Sequence, residues 1–151
     1  MIAIVPYEDR WFEQWRALSM DWLREYDLLE PADLHLLDHP RETALDPGGA
    51  IYLAVEDDVP VGTASLLPAG DSVWEIVKLT VRRDRRGRGI ADRLMAAALE
   101  GVRARGGHTA LLFTNSRLEA AIGLYRKWGF LETAHRGSNY CESDRRFEKT
   151  L

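Results

Sequence analysis

The sequence is poor in thiols. Cys141 is its only cysteine, so no disulfide can form within the chain. Its four histidines, His35, His39, His108 and His135, are scattered and give no zinc-ligand spacing with one cysteine, so no metal is expected. No apolar run approaches the roughly 20 residues of a membrane helix. Met1–Pro6 lacks the basic-then-apolar layout of a secretion signal. A reducing, cytoplasmic setting with no membrane partner is the expectation. Positive charge is also in deficit: 20 basic side chains face 24 acidic ones, a formal net charge of −4, which argues against a nucleic-acid partner.

What is present reads as one folded domain over residues 1–151, with 46% hydrophobic and 29% charged residues. The charge is uneven. Residues 1–60 hold 14 acids and 4 bases, whereas residues 61–151 hold 10 acids and 16 bases. Residues 82–88 alone carry five arginines and one aspartate. Such asymmetry is either solvated surface or a molecule that meets a cation on one side and an anion on the other.

Hydrophobic periodicity orders the elements. Ile2–Val5 is a short strand. Trp11, Trp15, Leu18, Trp22 and Tyr26 form one stripe of a helix over roughly Glu8–Tyr26. A second helix starts at Pro31 and stops before Pro40. Ala50–Glu56, Val61–Leu67 and Val73–Val81 read as three strands of an antiparallel meander, the first turn being Asp57–Pro60. From Ile90 the period becomes helical until Gly106-Gly107. Thr109–Phe113 is a continuous apolar run, suited to a strand buried on both faces and paired in parallel. A helix over about Arg117–Trp128 and strands over about Phe130–Arg136 and Arg145–Leu151 complete the order βααβββαβαββ. The class is α/β (α+β), with one mixed sheet.

The most informative stretch is Val81-Arg82-Arg83-Asp84-Arg85-Arg86-Gly87-Arg88-Gly89-Ile90-Ala91. It follows a strand and opens a helix, where the first N–H groups have no intrahelical acceptor and the macrodipole is positive. Gly87 and Gly89 let backbone approach a ligand. The pattern is an anion cradle suited to phosphate or pyrophosphate. It lacks the Gly-Lys-Ser/Thr ending of a nucleotidase phosphate loop, and its glycines do not complete the dinucleotide fingerprint.

These residues resemble the GNAT superfamily of acyl-CoA N-acyltransferases. Arg86-Gly87-Arg88-Gly89-Ile90-Ala91 matches its Gln/Arg-x-x-Gly-x-Gly/Ala signature, and Ala121-Ile122-Gly123-Leu124-Tyr125-Arg126-Lys127-Trp128-Gly129-Phe130 looks like its AxxLYxxxGF element. The likeness is specific over residues 73–131. It implies a GNAT-like sheet of about seven strands, mostly antiparallel, with acetyl-CoA as co-substrate and no metal. It places the pyrophosphate on the amides of Arg86–Ala91, including Gly87, Arg88, Gly89 and Ile90. The pantetheine arm would lie along Leu79, Thr80 and Val81, with Asn115 bonding its amides and a backbone amide at a strand bulge holding the thioester carbonyl. The strands holding Leu79 and Thr109–Asn115 should splay apart. Leu118 stands where the family often has asparagine, with Asn115 and Ser116 as substitutes. Ala91 replaces the commoner glycine.

By the same resemblance a primary amine, on a small molecule or a peptide, attacks the thioester directly. Glu75 is the candidate base, or else an ordinary exposed strand residue. Its parity with Val77 and Leu79 argues against a shared face with Lys78 unless a bulge intervenes. Tyr125 is the candidate acid, or else a core aromatic. Lys78, one of three lysines, sits in an interior strand and could bind a substrate carboxylate or pair with Glu75. Tyr26, Glu30, Asp33 and Tyr140 are placed on the acceptor side, where Glu30 and Asp33 could attract an ammonium; an amino-acid-like acceptor would suit both charges. A sensor that only binds acetyl-CoA, another acyl donor and a hydroxyl acceptor are the alternatives. Dimers are common in families of this kind, so the resemblance allows a homodimer.

Overall fold

A computed structural model describing Met1–Leu151 shows one seven-stranded sheet with helices on both faces. The strands are β1 (Ile2–Pro6), β2 (Ala50–Glu56), β3 (Val59–Gly70), β4 (Val73–Val81), β5 (Thr109–Thr114), β6 (Leu131–Thr133) and β7 (Arg145–Thr150). The helices are α1 (Phe12–Glu25), α2 (Pro31–Asp38), α3 (Ile90–Ala104) and α4 (Glu119–Lys127). The order across the sheet is β1-β2-β3-β4-β5-β7-β6, every pairing antiparallel except β4 with β5. The expected element order and the mixed, mostly antiparallel sheet are those observed. No helix is long and apolar enough to cross a membrane.

The two faces have separate cores. On one, Trp11, Trp15 and Leu23 of the first helical segment and Leu36 and Leu37 of α2 pack on Ile51, Leu53 and Val77. Trp15 is fully buried, and its indole N–H donates to Thr63 Oγ1 at 3.2 Å, which satisfies the polar edge of the largest core side chain. On the other face, Met95, Ala98 and Leu99 of α3 and Ile122 and Tyr125 of α4 pack on Leu66, Ile76, Leu112 and Phe147. Adjacent Ile76 and Val77 thus belong to opposite cores, as the two-residue strand period requires.

Several boundaries move. The first meander turn is Asp57-Asp58 alone. Both residues adopt positive φ, 51° and 62°, the backbone of a tight two-residue hairpin, so Val59 and Pro60 join β3. Past Pro40 the chain makes one further π-helical turn, Arg41–Leu45. Helix α4 begins at Glu119 rather than Arg117, and β6 is only Leu131–Thr133.

Two features of β4 position the site. Its parallel pairing with β5 covers only Val73–Glu75 against Thr109–Leu111. Beyond Glu75 the two strands separate, as expected, while β4 runs on to Val81 and β5 to Thr114. On its other edge, Thr63 pairs with Thr80 but Ser65 pairs with Val77, so Lys78 and Leu79 together face Ala64. That is a β-bulge, and Lys78 takes φ 56° within it. A lysine in the left-handed region costs on the order of 1–3 kcal/mol, a strain that recurs at ligand sites.

Candidate active site

The parted strands open a crevice with two chambers. The outer one, of about 510 Å³, is bounded by Leu79 and Val81, the Arg85–Asp92 junction and α4. The inner one lies between α1, α2, the middle of β4, the end of β5 and the strap of residues 134–144 that links β6 to β7. Trp22, Leu79, Leu118 and Tyr125 line both, so these four side chains form the neck between them.

The outer chamber is shaped by backbone. Gly87 and Gly89 both adopt φ 76°, which turns the chain from the Arg83–Arg85 single turn into α3. The N–H groups of Gly87, Arg88, Gly89, Ile90, Ala91 and Asp92 have no acceptor within the protein. They are the free donors of a helix start, backed by the positive end of the α3 dipole. A Cβ built on Gly87 or Gly89 would meet no atom within 4 Å, so these glycines serve conformation and an open approach, not close packing.

The arginines contribute less free charge than their number suggests. Arg82 pairs with Asp84, Arg85 with Glu56 and Asp84, Arg83 with Glu25. Arg86 holds both Glu25 oxygens, at 2.8 and 2.9 Å, and donates from Nε to the Val81 carbonyl at 3.0 Å. Its guanidinium hydrogen bonds hold the Glu25 carboxyl below the usual range. Only Arg88 makes no ion pair, and it is exposed. Of the residues expected along the cofactor, Leu79, Val81, Arg86, Gly87, Gly89, Ile90 and Ala91 line the outer chamber. Thr80 is buried and lines neither chamber, and Asn115 lines the inner one. Tyr26, expected on the acceptor side, stands in the outer chamber against Arg86.

The inner chamber is shaped by side chains. The bulge turns Lys78 into it, alongside Glu75 from the same strand. Burial pushes the Glu75 carboxyl up to about 7, and the nearby Lys78 charge opposes that rise. Tyr125 is pushed up to about 12 by burial, with the Thr114 hydroxyl beside it pulling the other way. It therefore keeps its proton at neutral pH. Lys78 does not pair with Glu75. Its ammonium meets Asp33 Oδ1, lies 4.5 Å from the Tyr140 ring centroid and 3.4 Å from the Tyr140 hydroxyl. The other Asp33 oxygen accepts the Glu30 N–H at 2.8 Å at the start of α2.

Glu30 is engaged as well. The N–H groups of Cys141 and Glu142 donate to its two oxygens, each at 2.7 Å, which latches the strap onto the start of α2. The Asn115 amide donates to the Glu142 carbonyl at 2.6 Å. Asp144 accepts from the Ser116 N–H and hydroxyl at 2.8 and 2.6 Å. The crevice thus brings Glu75, Tyr125, Glu30, Asp33, Lys78, Tyr140 and Asn115 around one chamber. Sequence reasoning missed Glu25, the partner of Arg86 61 residues away, and Glu142 on the strap. No local pattern marks either residue.

Comparison with known proteins identifies the family. The family model for the acetyltransferase (GNAT) family matches residues 10–130. The chain is 27% identical over 124 residues to human N-acetyltransferase 8B, covering 79% of this chain and 54% of that protein. It is 30% identical over 96 residues to rat N-acetyltransferase family 8 member 2, covering 60% and 42%. The chain therefore spans about half the length of the curated relatives it matches. Among solved structures, a GNAT-family acetyltransferase from Staphylococcus aureus Mu50 superposes with TM-score 0.93 at 19% identity, covering 100% and 99% of the two chains. The PaiA N-acetyltransferase of Thermoplasma acidophilum, solved in complex with coenzyme A, gives TM-score 0.78 at 16% identity, covering 100% and 99%. The chain belongs to the GNAT acetyltransferase family. Its fold and family are those of acyl-CoA-dependent acetyltransferases.

Proposed function

We propose that the chain transfers an acetyl group from acetyl-CoA to a primary amine by direct attack within a ternary complex. The observation that carries this reading is the two-chamber crevice: an anion cradle at one end, the half-buried Glu75 carboxyl at the other and a protonated tyrosine in the neck. Six backbone N–H groups without protein acceptors fit a pyrophosphate. The widening between β4 and β5 suits an extended arm entering beside Leu79, at a bulge whose extra residue leaves backbone donors outside the ladder.

The thioester supplies an activated acyl carbon with a thiol leaving group. The remaining chemistry belongs to side chains of this chain. An alkyl amine has a pKa near 10.4 and is almost wholly protonated at neutral pH. Glu75, with its carboxyl near 7, is matched to take that proton and hold it on a carboxylate oxygen. Tyr125 Oη holds a proton in the neck, where a departing thiolate needs one. The bulge N–H groups offer a donor for oxygen charge that develops during attack.

Free-thiol release from acetyl-CoA, followed with and without primary amines, tests the reading. Amine-dependent release is expected, with Tyr125→Phe lowering kcat about tenfold or more at unchanged CoA affinity. CoA binding without thiol release for any amine would instead make the chain a sensor.

A further inference from the structure

Resting on that reading, we infer that the acceptor is an apolar monoamine with no carboxylate near the reacting nitrogen, and that α-amino acids are excluded by charge. Lys78 is the only Lys, Arg or His lining the inner chamber. Its side chain is 8% exposed and that of its partner Asp33 3% exposed, so the cation is already matched and covered. Tyr140 closes a further side of the ammonium, through both its ring face and its hydroxyl. An incoming carboxylate would have to displace Asp33 or sit beside it.

The rest of the ionisable lining is acidic: Glu30, Glu75 and Glu142. Glu30 spends both oxygens on strap N–H groups, leaving Glu75 to face a ligand, with the exposed Glu142 at the strap rim. An anionic group brought among them would lose its water and gain no cation, which is a strongly unfavourable exchange. An ammonium would meet acids and aromatic faces, both favourable to it. Most of the remaining wall is apolar, including Leu23, Leu28, Leu112 and Phe113, so the body attached to the amine should be apolar too.

Matched pairs differing only in the carboxylate decide this. Phenethylamine against phenylalanine, and tyramine against tyrosine, are compared for thiol release from acetyl-CoA and for calorimetric binding to the CoA-loaded protein. The amine is expected to exceed the amino acid in kcat/KM by about tenfold or more. Phenylalanine amide, which keeps the α-substituent but not the charge, should behave like the amine. Glu142→Lys places a cation on the strap side of the chamber and should narrow the gap several-fold. Equal or better use of the amino acids, with amine-dependent release otherwise intact, overturns this inference and leaves the acetyltransferase reading standing. Poor use of the amide alongside the amino acid also overturns it, because shape and not charge would be the filter. No binding and no release with any member of either pair overturns this inference, and the acetyltransferase reading falls as well only when no other primary amine gives thiol release.

Discussion

The two chambers are made of different material. The outer one is mostly backbone: six N–H groups and two glycines within residues 87–92. The inner one is side chains gathered from α1, the α2 start, the β4 bulge, the end of β5 and the strap. A site of contiguous backbone donors depends on local turn chemistry. A site of side chains from five places depends on every element being in register and on each buried charge having a partner. The outer chamber should therefore tolerate surface charge changes and fail on glycine replacement. The inner one should fail when one member of a pair is removed.

The sharpest way to break that contrast is Lys78→Met, which strands the Asp33 carboxylate in the interior. A loss of about 3–5 kcal/mol in unfolding free energy is expected by denaturant titration. Replacing both partners, Lys78→Met with Asp33→Leu, should recover part of it, limited by the lost contact to the Glu30 N–H. If the single variant is as stable as the parent, the inner chamber is not held by its ion pair.

Glu75 gives the next largest effect, through pH. Its carboxyl titrates near 7 in the fold against the ordinary 4.5. Between those values the unfolded chain has released a proton that the folded chain retains, so stability falls as pH rises from about 4.5 to about 7 and is level above. The total is about 3 kcal/mol, from about 1.4 kcal/mol per pH unit. Glu75→Gln should remove this component from the pH dependence, measured by urea unfolding at pH 5 and pH 8. With Glu75 as base, kcat/KM in the parent should rise through pH 7.

Gly89→Ala is the smallest of the three and probes the outer chamber alone. Alanine at φ 76° costs about 1 kcal/mol, with no clash to add to it because nothing lies within 4 Å. Weaker CoA binding with an unchanged Glu75 titration is expected. A shifted titration would mean that the chambers are not separate in the way their construction suggests.

The same contrast explains what could be read in advance. Strands β2 and β4 match their expected bounds because the alternating pattern ends at strong turn residues on both sides. The backbone path of the outer chamber was legible because glycines between arginines at a strand-to-helix junction specify it within a few residues. The pairing within the inner chamber was not. Glu30, Asp33 and Lys78 suggested an amine-and-carboxylate pair of ligand sites, yet the fold spends Asp33 on Lys78 and Glu30 on the strap. Likewise Arg86 is turned onto Glu25, a contact between residues 61 apart. Pairing between side chains far apart in sequence leaves no periodicity to detect.

By itself the sequence determined the order of elements, the family signature and the glycine-turned junction between β4 and α3, because turn geometry, helix starts and hydrophobic period are local properties of the chain. Tertiary structure alone decided that Glu75 and Lys78 share a chamber, since their parity in a regular strand would oppose it and the bulge at Lys78–Leu79 reverses it. It also decided which charges remain free for a ligand, because a buried charge is governed by the nearest partner in space.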